Sequence, residues 1–578
     1  MNDFSLICMV KILEIQDLSV SFYSGKIWQQ AIKEINFSVF EGESLGIVGE
    51  SGSGKSVTSL SIMKLLGSRA KYDSGKIFFQ EDEGKVVDLL KLEEDDIRLY
   101  RGRKIAMIFQ EPMSALNPLL TCGFQVKEAL AAHKIGPKSE YRSKVEYWFR
   151  KVGLNDVERV YDAYPHQLSG GQLQRVLIAI ALCCEPKVII ADEPTTALDV
   201  TIQKKILELL EEIRKEMNLT LIFISHDLGV IRNVCDRVIV MQNGQIIESN
   251  TTQKIFLEAT HPYTKGLINC KPPLDCKLRH LPTVQDFLEG SEKNKWYNDT
   301  MIISSLEQNR KAQDFNQCKP ILEINELGVS YPLQRNIFGK VTQKFTAVKN
   351  VSFTIRPGES VGLVGESGSG KSSIGKAILN LIQIETGQIK YEGIDCTSYS
   401  EREWKALRKE MQIIFQDPFS SLNPRKKIGD AIVEPMKVHR LFNNAKERKD
   451  AAIELLMEVG LKPEHFDRYP FQFSGGQRQR ICIARSLALK PKFIIFDESV
   501  SALDVSIQAQ VLNLLTQLKE KFKLSYLFIT HDFSVVNFIA DRIMVMKNGE
   551  IVEEGLPFQI LNHPTTDYTK HLIESIPR

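Results

Sequence analysis

The sequence has no hydrophobic run long enough to cross a lipid bilayer. Its longest strongly apolar stretch covers residues 176–184, whereas a transmembrane helix needs about 20 residues. The N-terminal stretch MNDFSLICMVKILEI contains a short apolar run without a basic segment in front of it. We therefore expect neither a signal peptide nor a transmembrane segment. If the protein acts at a membrane, other chains must supply the membrane spans.

An excess of either charge is also lacking. The 74 Lys and Arg residues nearly balance the 72 Asp and Glu residues, for a formal net charge of +2. No global basic field would draw the chain onto nucleic acid, so we expect no nucleic-acid partner, although this balance does not exclude a local basic patch. The hydrophobic share of 43% and the charged share of 25% are ordinary for a soluble globular protein.

The cysteines lack the regular spacing of a disulfide framework. Ten are scattered along the chain, and only Cys183–Cys184 and the pair Cys270 and Cys276 lie close together. Reduced thiols in a cytosolic protein are the simpler interpretation. With 578 residues the chain is too long for a single core, which predicts about three or four domains.

The sequence does contain a long internal repeat. VGESGSGKS at residues 48–56 recurs without a substitution at residues 364–372, and many later segments recur in the same order. The first half carries about ten more residues before Gln110, and its acidic stretch at residues 81–96 is the natural place for them. A period slightly above 300 residues indicates tandem globular domains rather than a solenoid.

The repeat also indicates the domain boundaries. The pattern is lost over roughly residues 270–318, which are polar and contain few β-branched residues. We interpret residues 271–318 as a partly flexible linker, with one domain at residues 1–270 and the other at residues 319–578. HPYTKGLI before the linker resembles NHPTTDYTKHLI at the end of the chain, so each half keeps the same short helical tail.

Each half alternates short apolar runs with amphipathic stretches, which predicts an α/β fold. The runs at residues 43–49, 187–192 and 220–225 are continuously apolar, as expected for strands of a parallel sheet that is buried on both faces. The first of these runs ends at a glycine-rich loop, and the helical pattern SVTSLSIMKLL follows it. A strand, a glycine loop and a helix form the context that a phosphate-binding loop requires.

Both copies of the glycine loop match G-x-x-x-x-G-K-[ST]. Glycines allow positive φ and a close approach of the backbone, while successive N–H groups and the helix N-terminus attract phosphate. One isolated match could be a flexible turn, but two identical matches after predicted strands favour nucleotide binding. Lys55 and Lys371 would reach the outer phosphates, and Ser56 and Ser372 would hold Mg²⁺. The remaining loop candidates are Gly49, Ser51, Gly52, Ser53 and Gly54, with Gly365, Ser367, Gly368, Ser369 and Gly370.

Two carboxylates follow a hydrophobic strand in each half. VIIADE ends in Asp192 and Glu193, and FIIFDE ends in Asp497 and Glu498. The aspartates are placed to hold Mg²⁺ and the glutamates to polarise an attacking water. A solvated acidic turn would be the preferred interpretation of either motif alone, but not after a phosphate loop in both halves.

Further motifs resemble those of ABC-type ATPases. LSGGQ at residues 168–172 and FSGGQ at residues 473–477 resemble the signature motif of that family. The other motifs follow in family order: Gln110 and Gln416 at the Q-loop, residues 197–199 and 502–504 at the D-loop, His226 and His531 at the H-loop, and Phe22 and Tyr331 at the adenine-stacking A-loop. The resemblance covers nearly the whole chain outside the linker.

The resemblance implies a fold and a set of roles. Each half is expected to be a P-loop NTPase domain with a RecA-like core sheet, an antiparallel β subdomain and a helical signature subdomain. Catalytic roles fall to Glu193, Gln110 and His226 in the first half, and to Glu498, Gln416 and His531 in the second. The two glutamines would also contact Mg²⁺.

The resemblance further implies that two such domains stack head to tail, so that each ATP lies between the phosphate loop of one and the signature of the other. Lys55 would share a site with Ser474 and Gly476, and Lys371 with Ser169 and Gly171. A serine hydroxyl and glycine N–H groups at a helix start can donate to a γ-phosphate. A capped helix start is the simpler interpretation, but it does not by itself explain a glutamine after two glycines in both halves. The full signature candidates are Ser169, Gly170, Gly171 and Gln172, with Ser474, Gly475, Gly476 and Gln477.

Neither half has lost a motif, so we predict two hydrolytic sites. The departures from the family pattern are mild: Phe473 stands where the signature usually has leucine, and Phe22 where the A-loop usually has tyrosine. Phe22 keeps the stacking face and loses only a hydroxyl.

The stretches after the Q-loops resemble one subfamily. EPMSALNP and DPFSSLNP, together with the HPYT tail, resemble the oligopeptide, dipeptide and nickel importers, which include fused two-ATPase subunits such as those of glutathione and microcin-C importers. The resemblance implies two permease subunits that dock after Gln110 and Gln416, an indirect substrate-binding protein, and a peripheral position on the cytoplasmic face of the membrane. Relatives often carry a cysteine-rich segment after HPYT, but only Cys270 and Cys276 occur here, so no iron–sulfur cluster is expected.

Two alternative functions are less consistent with the sequence. Twin ATPases that act on ribosomes usually lack the H-loop histidine and carry a long charged helical linker, whereas this chain has both histidines and a linker without a sustained helical period. An exporter or DNA-repair ATPase is the other alternative, and repair members carry zinc-binding cysteine pairs that are absent here. The transported substrate cannot be inferred, since permeases and a binding protein would select it.

Overall fold

The computed structural model describes residues 10–25, 27–81, 84–196, 198–291, 295–335, 341–501 and 503–576. Residues 1–9, where the signal-peptide question arises, lie outside the described residues. So do residues 82–83 of the acidic stretch, and Ala197 and Ala502 of the expected D-loops. Residues 10–198 and 202–268 form one compact unit, and residues 269–576 form a second.

The first unit contains an antiparallel sheet, a mostly parallel sheet and helices. Its strands are β1 (Lys11–Ser24), β2 (Ile27–Phe40), β3 (Ser44–Val48), β4 (Ala70–Gln80), β5 (Val86–Asp88), β6 (Ile105–Ile108), β7 (Val188–Asp192), β8 (Thr220–Ile224), β9 (Arg237–Gln242) and β10 (Gln245–Thr251). Its helices are α1 (Lys55–Ile62), α2 (Glu94–Tyr100), α3 (Pro112–Ala115), α4 (Cys122–Ala132), α5 (Tyr141–Lys151), α6 (Val157–Asp162), α7 (Gly170–Leu182), α8 (Val200–Met217), α9 (Leu228–Val234), α10 (Thr252–Glu258) and α11 (Pro262–Asn269).

The mostly parallel sheet of the first unit has the strand order β6-β7-β8-β3-β9-β10. Only its last pair, β9 and β10, is antiparallel. Every residue of β3, β7 and β8 is buried, which confirms the prediction of strands covered on both faces. Because β3 and β7 run in the same direction, the glycine loop after β3 and the carboxylates after β7 lie at the same edge of the sheet.

Two smaller layers complete the first unit. The antiparallel sheet has the order β2-β1-β4-β5. The helices α4, α5, α6 and α7 pack on one another, with Val126, Val145 and Leu130 buried among them. These layers and the core sheet are the three parts expected for the fold class, which is thereby confirmed.

The second unit repeats this architecture after two additional helices. Its strands are β11 (Leu322–Arg335), β12 (Val341–Ile355), β13 (Ser360–Val364), β14 (Thr386–Tyr391), β15 (Ile394–Asp395), β16 (Met411–Ile414), β17 (Phe493–Asp497), β18 (Ser525–Thr530), β19 (Arg542–Lys547) and β20 (Glu550–Gly555). Its helices are α12 (Val284–Leu288), α13 (Ser305–Asn316), α14 (Lys371–Ile378), α15 (Glu401–Leu407), α16 (Pro418–Ser421), α17 (Ile428–Val438), α18 (Ala445–Glu458), α19 (Gly475–Leu487), α20 (Val505–Phe522), α21 (Phe533–Ile539), α22 (Pro557–Asn562) and α23 (Asp567–Glu574).

The two sheets of the second unit have the same topology as those of the first. Their orders are β12-β11-β14-β15 and β16-β17-β18-β13-β19-β20. The helices α17, α18 and α19 pack together in the position that α4, α5 and α7 occupy in the first unit. The sequence repeat is therefore a repeat of the complete domain.

Residues 271–318, which we call the linker segment, pack against the rest of the second unit. Asn513 on α20 accepts a hydrogen bond from Leu281 N (2.8 Å) and donates one to Leu281 O (2.8 Å). Asn537 on α21 donates to the carbonyl oxygens of Pro273 (2.8 Å) and Cys276 (2.9 Å). The partial flexibility of the linker segment stays a prediction.

The linker segment contains a helix that its sequence pattern did not indicate. Helix α13 spans Ser305–Asn316, and none of its residues is buried. A helix without a buried face has no apolar period to detect, and its remaining signal is the N-cap, where the Ser304 side chain accepts from Glu307 N. The absence of a sustained helical period in the linker sequence therefore does not exclude a helix at these residues.

Within the described part of the chain, no helix combines the length and the hydropathy that a membrane crossing requires.

Candidate functional site

The first phosphate loop follows β3 and leads directly into α1. Gly54, the N-cap of α1, has φ 105°, a conformation that strongly favours glycine. A Cβ atom at Gly49 would lie 2.3 Å from Met241 O, so a side chain cannot be accommodated there. Ser51 and Gly52 are exposed at the tip of the loop, whereas Ser53 is buried.

Lys55 occupies the centre of this loop. Its Nζ donates to the carbonyl oxygens of Gly49 (2.7 Å) and Glu50 (2.9 Å), and the residue is buried. The buried Ser53 Oγ has no hydrogen-bond partner among the described residues. A loop with a central ammonium group and an unsatisfied hydroxyl fits a bound phosphate group.

The second phosphate loop has the same geometry. Lys371 Nζ donates to Gly365 O (2.8 Å) and Glu366 O (2.7 Å), and burial lowers the pKa of Lys371. Gly370 has φ 109° at the start of α14. Ser369 Oγ is buried without a hydrogen-bond partner in the described part of the chain, as is its counterpart in the first half. Ser367 and Gly368 are exposed.

A serine of each loop meets the first carboxylate of the neighbouring strand end. Ser56 Oγ donates to Asp192 Oδ1 at 3.3 Å, and Ser372 Oγ donates to Asp497 Oδ1 at 2.7 Å. Burial raises the pKa of both aspartates. A hydroxyl and a carboxylate are hard oxygen donors of the kind that Mg²⁺ prefers, so these residues fit the ion.

The second carboxylate of the first half has three neighbours. Glu193 Oε2 accepts from Gln110 Nε2 (2.9 Å) and Thr196 Oγ1 (3.0 Å), and lies 3.1 Å from His226 Nδ1. Burial raises the pKa of Glu193, but the neighbouring His226 and Lys55 lower it by a larger amount. The pKa of Glu193 therefore lies below its ordinary value. The carboxylate is therefore ionised at neutral pH, as a base requires.

The corresponding carboxylate of the second half is held by fewer groups. Glu498 Oε2 accepts from Gln416 Nε2 at 3.1 Å, while His531 Nδ1 lies 3.6 Å away, beyond hydrogen-bond distance. Burial raises the pKa of Glu498, yet His531 and Lys371 bring it below its ordinary value. In both halves the glutamine amide faces the glutamate, whereas the expected role of Gln110 and Gln416 as Mg²⁺ ligands stays a prediction.

Each signature motif begins a helix through a capping box. Ser169 Oγ accepts from Gln172 N (3.4 Å), and Gln172 Oε1 accepts from Ser169 N (3.1 Å). Ser474 and Gln477 form the same pair at 3.4 and 3.1 Å. We expected that a capped helix start would not explain the glutamine of the signature motif. This expectation is wrong, because Gln172 and Gln477 are themselves the third helical residues that complete each capping box.

The glycines of the signature have a different explanation. A Cβ atom at Gly171 would lie 2.8 Å from Ile202 Cγ2, and one at Gly476 would lie 2.2 Å from Ile507 Cγ2. The second glycine thus allows close helix packing in each half. Ser169, Gly170 and Ser474 are exposed and Gly475 is half-buried, so the first turns of α7 and α19 present their polar groups at the surface of their own unit.

The two aromatic residues expected at the A-loop lie on the first strand of each half. Phe22 is half-buried against the core of the first unit. Tyr331 is half-buried as well, and its hydroxyl lies 3.0 Å from Ser373 Oγ, one residue after the phosphate loop. Their role in stacking on adenine stays a prediction.

Two tyrosines of the helical tails touch the phosphate loops, a contact that the sequence analysis did not identify. Tyr263 Oη accepts from Glu50 N at 3.1 Å, and Tyr568 Oη accepts from Glu366 N at 3.3 Å. The recurrence of Tyr-Thr-Lys in both tails was the available signal. It was insufficient because each tyrosine lies more than 200 residues from its partner.

The stretches after Gln110 and Gln416 expose apolar side chains. Each begins with a short helix, α3 or α16, that starts with proline. Met113 and Leu119 are exposed in the first half, and Phe419 is exposed in the second. Exposed apolar side chains after the Q-loop in both halves are candidates for a protein–protein contact.

The expected absence of an iron–sulfur cluster stays a prediction. The described residues contain no group of three or more His, Cys, Asp or Glu side chains arranged to hold a metal ion. None of the cysteines that the structure describes forms a disulfide bond, and Cys270 is buried.

Two family models match the chain. The model for the ABC transporter family matches residues 32–196 and 348–501, and the model for the C-terminal region of oligopeptide/dipeptide transporters matches residues 247–294. The first model covers more than half of the chain and matches once in each half. The chain therefore belongs to the ABC transporter family, and it is an ATP-binding subunit with two ATPase domains.

The chain is similar over nearly its whole length to curated proteins of known name. The glutathione import ATP-binding protein GsiA of Escherichia coli strain K12 is 43% identical, over 98% of this chain and 89% of that protein. The protein of the same name from Salmonella paratyphi A is 42% identical over the same shares. Among solved structures, the dimeric ATP-binding cassette MJ0796 with ADP and Pi is 31% identical, covers 42% of this chain and 98% of its own, and has a TM-score of 0.37.

Proposed function

We propose that the chain is the energy subunit of an importer for peptides or similar small solutes. The observation that carries the proposal is the presence of a complete motif set in both halves of a chain that is 43% identical to GsiA. The match of residues 247–294 to the C-terminal region of oligopeptide/dipeptide transporters supports the substrate class.

We assign to each group of residues a separate role in ATP binding or hydrolysis. Lys55 and Lys371 bind the outer phosphates of ATP within their loops, and Phe22 and Tyr331 stack on adenine. Glu193 and Glu498 act as bases that polarise the attacking water, positioned by Gln110 and Gln416 and by His226 and His531. The hydrogen bonds from both glutamines to the glutamates support this grouping.

Mg²⁺ has a defined place in each half under this proposal. Ser56 and Asp192 would hold it in the first half, and Ser372 and Asp497 in the second, with Gln110 and Gln416 as further ligands. When bound, the ion would neutralise charge on the β- and γ-phosphates.

We further propose that the two ATP sites are crossed between the halves. Ser474 and Gly476 complete the site of Lys55, and Ser169 and Gly171 complete the site of Lys371. Donors at a helix start can contact a γ-phosphate, and Ser169 and Ser474 are exposed in their own units. ATP then favours a closed arrangement because it contacts both halves, and hydrolysis removes that link.

The partners of the chain follow from the same family relationship. Two transmembrane permease subunits would dock on the regions after Gln110 and Gln416 and place the chain at the cytoplasmic face of the membrane. A substrate-binding protein would act indirectly through the permeases.

The proposed domain division is residues 1–270 and 319–578, with the linker at residues 271–318.

Membrane fractionation tests this function against the alternatives. The full chain should sediment with membranes when its two proposed permease subunits are co-expressed, and should not do so without them. Sedimentation with ribosomes, independent of the permeases, would overturn the importer proposal in favour of a ribosome-acting ATPase.

A surface substitution makes this test specific. Leu119→Ser removes a side chain that is 82% exposed after the Q-loop, and Leu306→Ser removes one that is 80% exposed on α13. We expect Leu119→Ser to lower permease-dependent sedimentation several-fold and Leu306→Ser to leave it unchanged. The reason is that removing an exposed apolar side chain weakens binding only where the partner covers that side chain. Equal sedimentation of both variants would contradict docking at this region.

A further inference from the structure

A pocket of about 340 Å³ lies within the second unit, between the linker segment and the helices α20 and α21. The linker segment contributes Lys277, Arg279 and residues of α13 to its lining. The opposite wall consists of the last turns of α20 and α21 and of Asp541. The volume is within the range of small-molecule sites, and the residues of the proposed ATP sites do not line the pocket.

Three lysines surround a single carboxylate, that of Asp541, at one end of the pocket. Lys311 Nζ lies 2.8 Å from Asp541 Oδ1, and Lys519 Nζ lies 2.7 Å from Asp541 Oδ2. Lys277 Nζ donates to Ala540 O, one residue away. This group therefore carries more positive than negative charge.

The other charged groups of the lining do not remove this excess. Arg279 is paired with Glu307 through its two terminal guanidinium nitrogens, Nη1 and Nη2, so that pair is neutral. Glu520 is the remaining acid of the lining, and it is exposed. The whole lining holds four cationic and three acidic side chains. The excess of positive charge lies at the end of the pocket that contains Asp541.

The internal repeat shows which of these charges the domain itself requires. In the first half, Asp236 accepts from Ser44 N (2.9 Å), and the one cation paired with it among the described residues is Arg214, at 3.7 Å. In the second half, Asp541 likewise accepts from Ser360 N (2.9 Å), and Lys519 takes the place of Arg214. Lys277 and Lys311, which belong to the linker segment, are additional.

The linker segment also encloses these charges. The Asp236 side chain is 61% exposed, whereas that of Asp541 is 10% exposed. Lys277 is buried, and burial lowers its pKa to about 7, with Lys311 and Lys519 acting in the same direction and Asp541 opposing them. Enclosed cations are unfavourable unless a counter-charge is present, which favours a bound anion.

The rest of the lining indicates what kind of anion the pocket accepts. Leu278, Ile303, Phe538 and Ile539 provide an apolar wall beside the lysines. Gln308 lines the pocket, and its buried Oε1 has no hydrogen-bond partner among the described residues. A site with apolar walls and a few convergent polar groups is typical of a small organic ligand.

We propose that this pocket binds a small organic anion, with its charged group among Lys277, Lys311 and Lys519 and its apolar part against Phe538 and Ile539. The ligand class is a carboxylate, sulfonate or phosphate attached to an apolar body. Since the linker segment and the second ATPase domain each form one wall, the ligand also strengthens the attachment of that segment.

Isothermal titration of the full chain with benzenesulfonate tests the proposal. Saturating MgADP is present throughout, so that the phosphate loops are occupied. We expect binding with a Kd of about 1 mM or tighter, and binding about tenfold weaker for the uncharged benzenesulfonamide, which has the same shape. Absence of benzenesulfonate binding up to about 20 mM, or equal affinity for the two compounds, would overturn the proposal.

Three lysine variants localise the binding. Lys311→Met removes a largely exposed ammonium group and should weaken benzenesulfonate binding about tenfold without unfolding the chain. Lys277→Met, an apolar substitution of similar length, should weaken it at least as much. The exposed Lys405 on α15 lies outside the pocket lining, so Lys405→Met should have wild-type affinity. Unchanged affinity in Lys311→Met would show that the lysines only attach the linker segment, and would overturn the proposal.

Discussion

The backbone at Glu193 and Glu498 adopts an unusual conformation. Their φ angles are 47° and 48°, in the left-handed region that costs a residue with a side chain about 1 kcal/mol. In this conformation each carboxylate lies near a glutamine amide and a histidine ring. The position of both carboxylates agrees with the proposed role of Glu193 and Glu498 as bases.

Substitution of these glutamates tests that role. Glu193→Gln and Glu498→Gln keep the shape of the side chain but remove the base, so each should lower hydrolysis at its own site by about 10²–10⁴-fold. ATP turnover of the chain should fall by at least half in either single variant and nearly vanish in the double variant. Glu212→Gln on α8 is the control and should retain full turnover. Intact turnover in one of the two single variants, with complete loss in the other, would contradict two equivalent sites.

Tyr263 and Tyr568 contribute to the phosphate loops from the helical tails. Tyr263→Phe and Tyr568→Phe remove the acceptor of the Glu50 and Glu366 amides. A lost hydrogen bond of about 0.5–1.5 kcal/mol in the phosphate loop should raise the KM for ATP about two- to tenfold. Steady-state ATPase kinetics measure the effect, with the exposed Tyr147→Phe as the control. A wild-type KM in both tail variants would show that these hydroxyls do not support the loops.

At the scale of helices and strands, the sequence predicts what its patterns encode locally. The strands β3, β7 and β8 were predictable because parallel strands with two covered faces must be continuously apolar. Helix α13 was not predictable, since it buries no residue. The capping box of Gln172 was a local pattern that the sequence contained, whereas the contact of Tyr263 with the phosphate loop depends on the folded chain.

Glu553 on β20 connects a strand with the tail helix α23. It accepts hydrogen bonds from Thr565 N (2.6 Å) and Thr566 Oγ1 (2.9 Å). Burial raises the pKa of Glu553, but these threonines and Thr569 together lower it to about 2. A carboxylate with a lowered pKa stabilises the fold above the ordinary pKa of glutamate, and this contribution is lost as the pH falls towards 2.

Glu553→Gln should therefore destabilise the second unit by about 1–3 kcal/mol at pH 7. The penalty should persist down to about pH 5 and shrink below the ordinary pKa of glutamate. Denaturant unfolding at several pH values measures it. Glu248→Gln is the matched variant of the first unit, where Glu248 accepts from Thr260 N (2.8 Å), and it should affect the first unit in the same direction. Wild-type stability of Glu553→Gln at pH 7 would contradict this role.

For the whole molecule, the duplicated VGESGSGKS loop is explained if each half completes the site of the other. A phosphate loop holds ATP but lacks donors on the opposite side of the γ-phosphate, and the signature of the other half would supply them. Fusion places both halves in one chain at a fixed ratio and a high effective concentration. The sequence predicts the motifs of both sites but not the substrate, because under the proposed function other chains would select it.

Counting the ATP molecules retained per chain tests the crossed arrangement most directly. The background is the Glu193→Gln/Glu498→Gln chain, which should retain two ATP molecules through rapid gel filtration because it cannot hydrolyse them. Adding Lys55→Ala with Ser474→Ala disables one crossed site, so one ATP should remain. Adding Lys55→Ala with Ser169→Ala disables both, so none should remain. One retained ATP in the second combination and none in the first would show that each half completes its own site, and would contradict the account.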